Sequence, residues 1–197
     1  MRMPSRPAAE NRRRAGGGLL GWLVACLFVT PGCTASGEST REPAIPEARS
    51  EDRPTSFAYV STQGDTFDSR STRGRATAVV FVTTYDLASQ VEAKRLEEVV
   101  YYQRPPVYAG AVVLETEEYA VLADAFRTSL GLSYPVCLAD DATRSGRGPF
   151  GKVDRIPTLV VLDRSGVEIW RREGLVTRGE MQKALARASR RGSPFTP

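Results

Sequence analysis

The spacing of apolar residues changes several times along the chain, and each change marks an element. Residues 57–69, FAYVSTQGDTFDS, alternate apolar and polar positions around Gln63-Gly64-Asp65, which predicts a β-hairpin. Ala78 to Val82 is a continuous apolar run bounded by polar residues, the pattern of a buried strand. From Ser89 to Tyr102 the spacing becomes helical. Ala93, Leu96, Val99 and Val100 fall on one face, and Glu92, Lys94, Arg95, Glu97 and Glu98 lie largely elsewhere around it. Gln103-Arg104-Pro105-Pro106 ends that helix, because proline has no N–H with which to continue it. Tyr108 to Leu114 predicts a second strand. A helix follows with Tyr119, Leu122, Ala123, Phe126 and Leu130 in register, closed by Gly131. YPVCLADD predicts a third strand, and RIPTLVVLDRSGVEIWRRE two more around an Asp163-Arg164-Ser165-Gly166 turn. The last helix opens on a capping box, Thr177-Arg178-Gly179-Glu180, and buries Met181, Ala184, Leu185 and Ala188.

The order is therefore a hairpin, then β-α-β-α-β, then a second hairpin and a helix. The alternating part requires parallel strands joined by right-handed crossovers, and the closing hairpin adds antiparallel ones. This is an α/β domain with a mixed central sheet, helices on both faces and an N-terminal β-hairpin extension. It spans residues 57–192, with 193–197 as a flexible tail. Residues 34–56, TASGESTREPAIPEARSEDRPTS, have almost no large apolar side chains, so burial there cannot offset ordering entropy and the segment reads as a disordered tether. Residues 1–33 read as an export signal, with an arginine-rich start, an apolar stretch from Leu19 to Val29 and a small-residue end. The apolar stretch falls well short of the roughly 20 residues of a spanning helix.

Charge and cysteine content sharpen this division. The net charge of +4 belongs to residues 1–33, which hold five arginines and one glutamate; the remainder balances 22 basic against 22 acidic residues. A neutral body without a clustered basic face argues against a nucleic-acid partner. The chain has no histidine, which removes Ser-His-Asp and Cys-His catalysis and histidine-ligated metals. No cofactor or metal site is expected. Of its three cysteines, Cys26 lies in the export signal, Cys33 at its end and Cys137 in a predicted strand.

Gly32-Cys33 resembles a bacterial lipobox, which makes Cys33 the lipidated first residue of the mature chain and the anchor to a cell-envelope membrane, facing the periplasm. Thr30 and Pro31 depart from that motif, which leaves an uncleaved anchor or simple secretion as the alternatives. With Cys26 lost with the signal and Cys33 carrying lipid, Cys137 has no internal disulfide partner.

Three stretches resemble the thioredoxin-like superfamily, in particular the exported TlpA-like oxidoreductases and the related AhpC-TSA (peroxiredoxin) group. VVFVTTYDLASQ resembles the strand-turn-helix in which an aromatic residue precedes Cys-x-x-Cys. FGKVDRIPTLVVLDRSG, residues 150–166, is similar to the stretch in which a cis-proline precedes a strand and hairpin. GLVTRGEM matches the closing glycine and capped helix. By this resemblance Tyr85 takes the aromatic position, Asp86 that of the nucleophilic cysteine and Ser89 that of the resolving cysteine. Ile156-Pro157 takes the cis-proline loop, which in the family faces the active-site turn and pairs with an extended peptide.

Both sulfurs are thus replaced, and disulfide exchange needs a thiolate and a second thiol. Asp86 is in any case a favoured N-cap whose charge suits a helix N-terminus. The expected function is a redox-inactive, membrane-tethered binding or scaffold module that holds a protein or peptide at the Asp86/Pro157 groove. The alternative is a thiol-disulfide oxidoreductase or peroxidase-like enzyme using the lone Cys137, which as a strand residue reads as a small buried hydrophobe. Glu115, Glu117 and Glu118 are expected to stabilise a helix dipole, and Arg171, Arg172 and Glu173 to form a solvated strand end. Arg144, Arg147 and Lys152 read as a small basic loop.

Overall fold

The computed structural model of the protein describes residues 53–192, so the export signal, Cys33, most of the tether and the residue 193–197 tail lie outside the described residues. Of the 34–56 stretch, residues 53–56 are described, and the Thr55 N–H donates to the Gly166 carbonyl at 2.8 Å.

Strands β1 (Ala58–Val60) and β2 (Thr66–Asp68) form the N-terminal antiparallel hairpin. The main sheet contains β3 (Thr77–Val82), β4 (Tyr108–Val113), β5 (Val136–Leu138), β6 (Thr158–Leu162) and β7 (Glu168–Glu173), in the order β5-β4-β3-β6-β7. β3, β4 and β5 are parallel, whereas β6 runs antiparallel to β3 and β7 antiparallel to β6. The helices are α1 (Leu87–Tyr102), α2 (Ala120–Leu130), the short α3 (Asp141–Arg144) and α4 (Arg178–Arg190).

Two right-handed crossovers stepping the same way, β3 to β4 and β4 to β5, place α1 and α2 on one face. The strand period of two then divides the core. Ala78, Val80 and Val82 of β3 meet Ala93 and Leu96 of α1, Phe126 of α2 and Met181 and Leu185 of α4. Val79 and Phe81 point the other way, toward Phe57, Tyr59 and Phe67 of the hairpin and Phe150. The Phe57 ring lies 5.1 Å from Phe67 and 5.4 Å from Phe150 between centroids. The short α3 joins this second face, where Thr143 Oγ1 and the Tyr59 hydroxyl are 3.0 Å apart. The hairpin extension is therefore the lid of a second core layer.

Four expectations change. Glu92 and Glu97 of α1 are buried, not turned outward, because each finds a backbone donor beyond its own helix: Val176 N–H for Glu92 and Ser133 N–H for Glu97. In α2 only Ala123 and Phe126 are buried. Tyr119 lies in a preceding 3₁₀ turn, and Leu122 faces solvent because this helix meets the sheet along a narrow ridge. Arg171 is not a freely solvated strand end; its guanidinium is held by Glu168 at 2.8 Å and the Phe150 carbonyl at 2.7 Å. Glu115 is also buried, as described below.

Gly110 of β4 allows the hairpin to close. A Cβ there would lie 2.4 Å from a Phe67 ring carbon. Gly110→Ala should therefore destabilise the protein by about 1–3 kcal/mol through overpacking. Urea unfolding is the check, and Phe67→Leu should recover part of the loss.

Candidate functional site

The site begins where β3 ends. Asp86 has an extended backbone and caps α1, its side chain accepting from Ala88 N–H at 3.3 Å and Ser89 N–H at 2.8 Å. A helix start leaves such N–H groups without partners, and a carboxylate satisfies them while complementing the dipole. Ser89 is fully buried. Its hydroxyl donates to Asp86 Oδ2 at 2.9 Å and accepts from Thr83 N–H at 3.2 Å. Burial opposes ionisation of Asp86, but the hydrogen bonds from Ser89 N–H, the Ser89 hydroxyl and Ala88 N–H outweigh it and hold the carboxyl below its usual value. Among the described residues, no cation lies within ion-pair distance of Asp86.

Glu115, at the end of β4, completes the junction. Its Oε1 accepts from Thr84 N–H at 2.8 Å and from the Thr84 hydroxyl at 3.0 Å. This carboxylate therefore ties the β3–α1 turn to the neighbouring strand and does not support a helix dipole. Tyr85 and Leu87, which flank Asp86, are 79% and 72% exposed.

The second segment of the site is the loop before β6. The Ile156–Pro157 peptide is cis, and the Pro157 carbonyl accepts from Gly174 N–H at 2.7 Å. A third segment, Gly174 to Val176, links the first two. Leu175 is 51% exposed, and Val176 is gripped from α1 on both sides of its backbone. Glu92 Oε2 accepts from Val176 N–H at 3.0 Å, and the Arg95 guanidinium donates to the Val176 carbonyl. Arg95 also reaches Glu92 Oε2 at 3.4 Å. Hydrogen bonds thus join the Pro157 loop to segment 174–176, and that segment to the helix that Asp86 caps.

Cys137 lies on β5 facing the aromatic layer, the opposite side of the sheet from α1, and is fully buried. Burial, reinforced by Asp65 and opposed by a Phe67 N–H hydrogen bond, pushes its thiol up to about 12, so it is not a thiolate at neutral pH. The basic loop does not act as a unit: Arg144 reaches the junction, donating to the Glu115 carbonyl at 3.5 Å, whereas Lys152 does not. Arg144 donates to the Ala139 carbonyl and pairs with Asp141, and Lys152 pairs with Asp154. A hollow of about 550 Å³ beside Arg144 is bounded by β1 and the end of β5.

Sequence reasoning missed Glu92, Arg95 and Glu115. Glu92 carried a signal, since it falls on the same helical stripe as Ser89, Ala93 and Leu96. Glu115 carried none, because its partner Thr84 is 31 residues away.

The architecture is that of the thioredoxin-like superfamily, and solved structures bear this out. A secreted Mycobacterium tuberculosis disulfide oxidoreductase homologous to E. coli DsbE matches with a TM-score of 0.55 at 18% identity, covering 66% of this chain and 95% of that one. A thiol:disulfide interchange protein of the thioredoxin family from Chlorobium tepidum matches with a TM-score of 0.56 at 26% identity, covering 69% and 97%. The exposed lipoprotein thioredoxin Etrx1 of Streptococcus pneumoniae matches with a TM-score of 0.53 at 16% identity, covering 67% and 98%. No family model matches the sequence, and no curated protein matches it.

Two outcomes follow from this geometry. Asp86→Ala should cost about 1 kcal/mol of stability at pH 7 as a lost N-cap. Because the Asp86 carboxyl is held below its ordinary 3.8, that contribution is complete above pH 3.8 and fades as pH falls through the lower folded value. Denaturant unfolding of both proteins across acid pH measures it. In a Cys26→Ser/Cys33→Ser background, Cys137 should react with a thiol reagent only after unfolding.

Proposed function

We propose that the protein is a membrane-tethered extracytoplasmic thioredoxin-like domain without redox chemistry, which binds a protein or an extended peptide across the Asp86/Pro157 groove. The observation that carries this reading is the junction itself. A fixed carboxylate and a buried hydroxyl stand at the two positions that the resemblance assigns to sulfur, and neither group can form or exchange a disulfide. The surroundings nevertheless retain features of a binding surface. Tyr85, Leu87 and Leu175 present apolar area to solvent around the capped helix start, and Ile156 is half-buried beside Pro157. An extended peptide docks on such a surface through backbone hydrogen bonds and side-chain contacts. Extracytoplasmic placement is supported by neighbours described as a secreted oxidoreductase and an exposed lipoprotein. Tethering rests on the Gly32-Cys33 pattern.

The disulfide-oxidoreductase neighbours favour a second reading, a thioredoxin-family enzyme that uses Cys137. Its weakness is chemical. The thiol is inaccessible and held protonated by burial, where a redox nucleophile needs exposure and a depressed pKa.

The test is an NMR titration of the full chain in mild detergent with uncharged, extended apolar pentapeptides. Shifts should concentrate at Tyr85, Leu87, Ile156 and Leu175, and Leu87→Asp should weaken binding by about tenfold, the loss of one buried apolar contact. Shifts centred elsewhere, or none, would overturn the binding proposal.

A further inference from the structure

The end of the domain opposite the Asp86/Pro157 groove gathers arginines without matching carboxylates. Hydrogen bonds assemble this end from separate segments. The Thr55 N–H donates to the Gly166 carbonyl at 2.8 Å, and the Arg164 carbonyl accepts from the Gly74 N–H at 2.9 Å. Arg164 returns a bond from Nε to the Gly74 carbonyl at 3.1 Å, and its N–H donates to the Arg191 carbonyl at 3.3 Å. The Arg75 guanidinium lies 5.1 Å from the centroid of the Tyr108 ring. These groups lie where β3 and β4 start and β6 ends, one strand length, roughly 17–20 Å, from the junction at the far end of β3. Around them Arg70, Arg73, Arg75, Arg104, Arg190 and Arg191 are exposed. The carboxylates at this end are engaged locally. Asp68 accepts from the Arg70 and Ser71 N–H groups, buried Asp163 faces Arg191 at 3.9 Å, and Glu168 pairs with Arg171. The overall balance of charge in the sequence thus conceals a basic end. Beside Arg104, at the close of α1, Tyr101 and Tyr102 are 66% and 74% exposed, with their rings edge to face at 4.9 Å.

We infer that this end is a membrane-docking face, whose arginines meet anionic phospholipid headgroups and whose tyrosine pair enters the headgroup layer. A guanidinium forks onto phosphate oxygens. Tyrosine, apolar along its ring and polar at its hydroxyl, favours the depth at which those phosphates lie. The point of attachment of the tether selects a lipid surface over other anions. Residue 53 joins the domain at this end, two residues before the Thr55 bond to Gly166, and Cys33 of the lipobox-like motif lies 20 residues earlier. Twenty residues reach at most about 70 Å, which holds the basic end at high effective concentration over an anchoring surface. The potential of an anionic surface decays within about 8–10 Å, so a face gains from it only on contact with the headgroups. Docking by this end turns the Asp86/Pro157 groove away from the bilayer. The inference deepens the tethered reading and rests on it for the setting, whereas the grouping of arginines and tyrosines does not depend on the anchor.

The experiment is NMR of the full chain in lipid nanodiscs that carry a gadolinium-chelating lipid, which broadens amides lying near the headgroups. In phosphatidylcholine discs with about 30% phosphatidylglycerol, broadening should concentrate at residues 70–75, 101–104 and 190–191 and be weak at Asp86 and Leu175. Pure phosphatidylcholine discs, or about 0.5 M salt with its Debye length of roughly 4 Å, should remove most of it. Arg70→Gln/Arg73→Gln/Arg104→Gln should lower the docking equilibrium by about a hundredfold, about fivefold for each arginine. Tyr101→Ser/Tyr102→Ser should lower it by about tenfold. Equal broadening in neutral and anionic discs, broadening centred on the groove, or a wild-type profile in the arginine variant would each overturn the docking face. So would a single-stranded oligonucleotide that shifts these residues where anionic discs do not. If the chain does not stay with phosphatidylcholine discs, the tether falls, and anionic discs added to the free chain still decide the docking face by the same pattern of broadening.

Discussion

A helix that starts at the rim of a sheet must find acceptors for its first N–H groups, and at the end of β3 that role falls to Asp86. The carboxylate takes the Ala88 and Ser89 amides and the Ser89 hydroxyl, and the same hydroxyl accepts from Thr83. This bond set fixes the direction in which α1 leaves the central strand. The direction of α1 in turn determines which of its residues meet β3 and which meet the segment before α4. It also decides the chemistry available there. The helix start that could lower the pKa of a thiol is already satisfied by the Asp86 carboxylate.

From that start, α1 serves both the core and the site. Ala93 and Leu96 bury against Val80 and Val82, while Glu92 and Arg95, on the same helix, hold the backbone of Val176, a residue of the same core. Across the sheet, β4 contributes a close packing at Gly110 and, at its far end, the Glu115 carboxylate that secures Thr84. The positions of the three site segments are thus set by the strands and helix that also form the hydrophobic layers. Packing and capping together hold the local geometry of the junction in place.

How much of this was legible in the sequence depends on the range of the interactions. Alternation in residues 57–69, the apolar run of β3, the Gly131 stop and the Thr177–Glu180 box are local signals, and each produced its element. Asp86, Ser89 and Pro157 were singled out by the family resemblance, and the structure places the first two at the start of α1 and the third in the cis loop before β6. Glu92, Glu97 and Glu115 were misjudged because charged residues are ordinarily exposed, and only a distant backbone donor makes their burial tolerable. The 174–176 wall was invisible for the same reason: nothing local marks Leu175 as a site residue, and its place is defined by bonds from Glu92 and Pro157's loop. Tyr119 and Leu122 satisfied the helical period, but the period does not reveal how wide a ridge the sheet will accept.

The central proposal is that this thioredoxin-like framework works without redox chemistry. Insulin-disulfide reduction by the full chain, driven by dithiothreitol, tests this most directly. The account predicts that the wild-type protein adds nothing to the uncatalysed rate, and that Asp86→Cys/Ser89→Cys, which places two thiols at an intact helix start, accelerates it clearly. Wild-type turnover that disappears in Cys137→Ser would contradict the account.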